Sequence, residues 1–137
     1  MNDSPRRLRF ELDTGAAASY IDRAVARELG LTPTGSTVVH GSGRESLRVD
    51  QVAHVAFRVG GIASSEHTVH VADLTSLPDH IDGFLGADFI ARYVVTIDYE
   101  HGRLAIADPA TFVYRGDGAA LPVELRRGLP FVAGTIR

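Results

Sequence analysis

Strict alternation of apolar and polar positions runs through most of this chain, and a period of two marks half-buried strands. Leu8, Phe10 and Leu12 alternate with Arg7, Arg9 and Glu11, which predicts a strand over residues 8–12. Leu47, Val49, Ala53, Val55, Phe57 and Val59, set against Arg48, Asp50, His54 and Arg58, predict a much longer one. Gly60-Gly61 then supplies a hairpin turn, and residues 68–72 read as the returning strand. Residues 93–99, the turn Glu100-His101-Gly102 and residues 103–107 make a further predicted hairpin.

Helical periodicity is scarce. Asp22 is placed to cap a helix over residues 23–29, with Gly30 to end it and Pro33 just beyond. Residues 87–92 predict one or two helical turns. Long strands, Gly-rich turns and little helix imply an all-β fold, a small barrel or sandwich. No linker, repeat or heptad interrupts the pattern, and 137 residues suit one core better than two, so residues 1–137 read as a single domain.

Composition changes this picture only by exclusion. With 45% hydrophobic and 23% charged residues the chain is neither disordered nor collagen-like. No apolar run approaches the roughly 20 residues of a membrane helix. The first residues lack the cationic stretch and apolar core of a secretory leader. Fourteen basic residues, all Arg, against 17 acidic ones leave a net charge of −3, which argues against a nucleic-acid partner. The absence of Cys removes disulfides, thiolate zinc sites and Cys nucleophiles without fixing a compartment.

The first candidate chemistry is Asp13-Thr14-Gly15-Ala16, directly after the first predicted strand. A carboxylate at a strand end, followed by a Gly that lets the chain turn, is presented to its surroundings. By itself the tripeptide is also what an acid closing a turn looks like. Its context is more specific. Phe10-Glu11-Leu12 precede it, Ser19-Tyr20-Ile21 follow, and the short helix ends at Glu28-Leu29-Gly30-Leu31. Far downstream come Ile81-Asp82-Gly83-Phe84-Leu85-Gly86-Ala87-Asp88-Phe89-Ile90 and then Tyr93-Val94-Val95-Thr96-Ile97-Asp98-Tyr99.

This combination, over about residues 8–107, resembles the retropepsin-like aspartic peptidases, particularly their bacterial single-domain members. The resemblance implies an acid-protease barrel with one short helix after each active-site motif. It makes Asp13 the catalytic carboxylate and Thr14 a hydrogen-bonding residue across a dimer axis, and it lets Gly15 give the turn room. Phe84, Leu85 and Gly86 would pack beneath the loop of Asp13, Thr14, Gly15 and Ala16 and brace it. Residues 38–49 would form a flap over the substrate, with His40, Gly41, Ser42 and Gly43 at its end. No cofactor or metal is implied, and the partners would be a second copy and a peptide or protein substrate.

The implied chemistry needs two carboxylates sharing one proton, because like charges about 3 Å apart cannot both ionise. The chain has one Asp-Thr-Gly and is too short for a two-lobed enzyme, so the second Asp13 would come across a two-fold axis. Two departures bear on the reaction. Ala16 stands where acid-active members often have Ser, which removes a hydrogen bond favouring the charged carboxylate and implies a mildly acidic to neutral optimum. The flap tip carries His40, Ser42 and Arg44 and no aromatic residue, which leaves coverage of substrate to backbone donors and small side chains.

In the family a strand precedes the Asp-bearing one, whereas here Asn2-Asp3-Ser4-Pro5 is turn-like. Residues 129–137 look like the missing strand. Three arrangements fit: residues 121–137 supply the strand in a permuted chain, exchange it between subunits, or begin a second domain of a tandem array. Other chemistry is weaker. His67 and His70 have a tempting spacing, but on a strand they face opposite sides and read as solvent-facing histidines. Gly41-Ser42-Gly43 precedes no helix that could supply a phosphate site. Asp88 and Asp98 read as turn acids. A Gly-x-Ser-x-Gly elbow is absent. The rival of another class is a catalytically silent module of the same fold that dimerises or binds peptides.

Overall fold

The computed structural model describes residues 7–40, 46–77 and 79–136. Ten strands and two short helices are found among the described residues: β1 (Phe10–Leu12), β2 (Tyr20–Asp22), α1 (Arg23–Glu28), β3 (Gly35–His40), β4 (Ser46–Val59), β5 (Ile62–Ala72), β6 (Gly83–Leu85), α2 (Ala87–Ile90), β7 (Val94–Asp98), β8 (Arg103–Ala107), β9 (Glu124–Arg126) and β10 (Leu129–Phe131). The fold is all-β and retropepsin-like. Its centre is a six-stranded sheet in the order β1-β6-β2-β5-β4-β3, curled into a half barrel, with β7-β8 and β9-β10 as separate two-stranded ribbons. No helix among the described residues is long and apolar enough to cross a membrane.

The predicted alternation does its work in β4 and β5. Val52, Val55, Val69 and Val71 turn inward and meet Ile21, Val25 and Ala26, with Leu8, Phe10, Leu29, Leu31 and Phe57 packed around them. The returning strand starts at Ile62 and not at residue 68, because the turn at Gly60-Gly61 lets pairing begin at once, Val59 opposite Ile62. Two register shifts lie between Val52 and Phe57, where His54 and Glu66 adopt left-handed backbone and their side chains meet. Each strand carries one extra residue there, so the offsets cancel and the pair bends without losing alignment.

Local signals hold at α1. Asp22 caps it, its Oδ1 accepting from Ala24 N–H at 2.8 Å and Val25 N–H at 3.3 Å, and Leu29 closes it one residue earlier than predicted. Asp22 Oδ2 also accepts from Leu74 N–H at 3.1 Å, tying the helix start to the chain after β5. The helix predicted over residues 87–92 is shorter, ending at Ile90.

One expectation is corrected. His67 and His70 face opposite sides of β5 but neither faces solvent: they are 1% and 9% exposed. His67 lies among the Phe57 and Phe89 rings with its Nε2 at 2.9 Å from Ser64 Oγ. His70 is covered by the edge of Tyr20, and its Nε2 is 2.9 Å from the Gln51 amide. The curl of the sheet and these polar partners allow a burial that strand alternation alone does not reveal. β10 spans three residues and pairs antiparallel with β9, Leu129 opposite Arg126, and not with β1. Within one chain, then, it does not fill the place of a strand ahead of Asp13.

Candidate active site

Three short strands build the site. β1 runs parallel to β6, with Leu12 opposite Leu85, and β2 runs antiparallel to β6, with Tyr20 opposite Phe84. β6 therefore threads between the two strands that flank the loop of residues 13–19, and the loop straddles it. Three-residue strands hold little by themselves, so closeness of backbone must supply the rest. Asp13 N–H donates to Leu85 C=O at 3.0 Å, and Ala87 N–H donates to Ala16 C=O at 2.8 Å.

The glycines make this approach possible. A Cβ on Gly86 would overlap the Ala18 carbonyl and lie 2.9 Å from Ala16 C=O, and one on Gly83 would overlap Tyr20 C=O. No side chain fits at either position. This is the physical content of two apolar residues and a Gly at positions 84–86: Leu85 is 4% exposed, Phe84 stacks on Tyr20 with ring centroids 4.7 Å apart, and Gly86 lets the loop come down onto the turn.

Within the loop, Asp13 folds over its own chain. Its Oδ1 accepts from Gly15 N–H at 2.8 Å and its C=O accepts from Ala16 N–H at 3.3 Å, a tight Asx-type turn. A Cβ at Gly15 would sit 3.2 Å from that same Oδ1. Asp13 and Ala16 are half-buried, while Thr14 and Gly15 are exposed at the rim. The carboxylate is thus fixed on one oxygen by a backbone donor at the open face of the loop. Such a group can accept a proton or polarise a water; alone it cannot be base and acid in the same step.

Of the other candidate residues, His40 ends β3, opposite Ser46 on β4, and its Nδ1 is 3.0 Å from Ser46 Oγ. This pair closes the described part of the β3–β4 hairpin. Gly41, Ser42 and Gly43 lie outside the described residues. Asp98 accepts from His101 N–H at 3.0 Å, as befits a turn acid.

Sequence reasoning does not single out Ser19. Its side chain is fully buried, its hydroxyl donates to Asp88 Oδ1 at 2.7 Å, and the same oxygen accepts from Gly86 N–H at 3.0 Å. The only signal is a hydroxyl between Ala18 and the β2 strand. Around this pair the titrations are displaced. Burial raises the Tyr20 phenol, and the Asp88 charge adds to it. Burial lowers His67, helped by Arg92 and opposed by Asp88, and burial lowers His70, again opposed by Asp88.

This arrangement, an acid on a loop straddling a parallel strand with glycine beneath, agrees with a comparison at the level of families. The model of a family described as aspartyl protease matches residues 1–89, a span that takes in the Asp13 loop, the β3–β4 hairpin and the strand beneath. The chain belongs to the aspartyl protease family. No curated protein and no solved structure matches it. At the level the family supports, the chain is an aspartic protease of retropepsin-like type, and the matched span ends just after the Gly86 turn.

Proposed function

We propose that the chain acts as a homodimeric aspartic endopeptidase in which each subunit gives one Asp13 to a shared dyad. The observation that carries this reading is the Asp13 carboxylate, held through one oxygen by Gly15 N–H at 2.8 Å on an exposed rim, in a chain with a single Asp-Thr-Gly. One carboxylate takes a proton from a water lying between the pair as its oxygen bonds to the scissile carbonyl carbon. The other gives its proton to the carbonyl oxygen. The tetrahedral diol then collapses: one hydroxyl gives its proton to the now unprotonated carboxylate as C=O reforms, the C–N bond breaks, and the other carboxylate gives its proton to the leaving nitrogen, which restores the one-proton dyad. Thr14, exposed beside Asp13, would hydrogen-bond across the two-fold axis and lock the two loops. Substrate would lie extended beneath the β3–β4 hairpins and pair with them through its backbone.

The test is cleavage of a mixed peptide library by wild type and Asp13→Asn. Isosteric Asn keeps the loop's hydrogen bond but cannot hold the shared proton, so turnover is expected to fall by at least about a thousandfold. Wild-type activity per chain should also rise with protein concentration through the dimerisation range. Equal turnover in the two proteins, or none in either at any pH, would favour the silent module instead.

A further inference from the structure

The Asp13 loop returns to the sheet at Ser19, and this residue is tied on three sides. Its C=O accepts from His70 N–H at 2.9 Å, its Oγ accepts from Gly86 N–H at 3.0 Å, and its hydroxyl donates to Asp88 Oδ1 at 2.7 Å. Asp88 Oδ1 accepts in addition from Phe89 N–H at 2.9 Å, at the start of α2. Ser19 is fully buried and its bond to Gly86 N–H is buried with it, while Asp88 is half-buried, so loss of the Ser19 hydroxyl leaves a buried amide unpaired. The Gly86 turn they secure is the one whose neighbour, Ala87, donates to Ala16 C=O inside the loop.

We propose that Ser19 and Asp88 are a positioning pair for Asp13, a hydroxyl–carboxylate latch that fixes the Asp13 loop on the Gly86 turn. Neither residue touches the reacting atoms. They act through the backbone: Asp88 orients the Ser19 hydroxyl so that its lone pair meets Gly86 N–H, the turn is held in place, and Leu85 C=O and Ala87 N–H are presented to Asp13 N–H and Ala16 C=O. Charge on the acceptor makes this bond stronger than a hydroxyl–amide one would be. The inference deepens the reading of Asp13 as the catalytic carboxylate and rests on it for the effect on rate, but the latch itself is a property of the folded loop.

The test uses the full chain with Ser19→Ala, Asp88→Ala, the double variant, and Asp88→Asn, which keeps an acceptor oxygen at the same place. Native-state amide exchange is read at Gly15, Ala16 and Ala87, with Val71 as the core reference, beside kcat and KM on a peptide cleaved by wild type. Loss of the latch is expected to speed exchange at the three loop amides about tenfold or more while Val71 changes far less. It should lower kcat about as much with KM nearly constant. Asp88→Asn should restore most of both, and the double variant should be no worse than either single one. Equal acceleration at Val71, additive effects in the double variant, or an Asp88→Asn protein as loose as Asp88→Ala would each overturn the proposal. Should Ser19→Ala fail to fold, the two Asp88 variants decide it. A wild type that cleaves no peptide would count against the reading of Asp13, and the exchange pattern would still support or overturn the latch.

Discussion

At the scale of residues, the site depends on what small side chains permit and what buried polar ones require. Gly86→Ala puts a methyl into the Ala18 carbonyl and close to Ala16 C=O, both backbone groups with nowhere to go. It should cost about 1–3 kcal/mol or more in urea unfolding and abolish activity, since the displaced element is the Asp13 loop. Ala16→Ser should have the opposite character: a hydroxyl beside the Asp13 turn favours the ionised carboxylate, so the acid limb of the pH–rate profile should extend downward with the fold unchanged. His67 and His70 give a separate pH dependence. Burial lowers both below the ordinary imidazole value of about 6.5, so the folded state binds fewer protons than the unfolded one below that pH. Their contribution to stability is therefore present above about pH 6.5 and lost as pH falls toward their folded values. Urea midpoints should drop between about pH 7.5 and pH 5, and His67→Gln should show a shallower drop than wild type. An unchanged slope in that variant would remove His67 from the explanation.

At the scale of elements, the strongest prediction concerns α1, where one side chain serves two segments. Asp22→Ala loses the cap on Ala24 and Val25 together with the bond to Leu74 N–H, and should cost about 2 kcal/mol or more, above the roughly 1 kcal/mol of a simple cap. Asp22→Asn should recover much of it. This helix was legible because its signals are local: a capping acid, a short apolar face and Gly30. The long arms of β4 and β5 were legible too, since alternation over many residues leaves no other reading, although β5 begins at Ile62, ahead of the stretch its pattern marks. β2 and β6 were not, because a three-residue strand has no measurable period and exists only through its neighbours. The burial of His67 and His70 was hidden for a related reason: it depends on the curl of the sheet and on Ser64 and Gln51 standing opposite. The residues at the base of the site, Asp13 and the 84–86 run, were visible through family resemblance. The latch was not, since Ser19 enters the sequence pattern only as context for the Asp13 motif and nothing along the chain pairs its hydroxyl with Asp88.

At the scale of the whole molecule, the same chain must satisfy a fold and an assembly. Among the described residues the six-stranded sheet ends at β1, the strand that delivers Asp13, and the β9-β10 ribbon pairs with itself and not with that edge. Large apolar residues along the last third, among them Tyr114, Leu121, Leu125 and Val132, are exposed in the single chain. Sedimentation should show self-association in the micromolar range or tighter, and Asp13→Asn should associate as wild type does, because the dyad and the association are different properties. The most direct measurement is the separation of the two Asp13 carboxylates in an experimental structure of the assembled protein. The expected result is oxygens about 3 Å apart across a two-fold axis, with room for one water held by both. Carboxylates far apart, or turned away from a common solvent site, would contradict it.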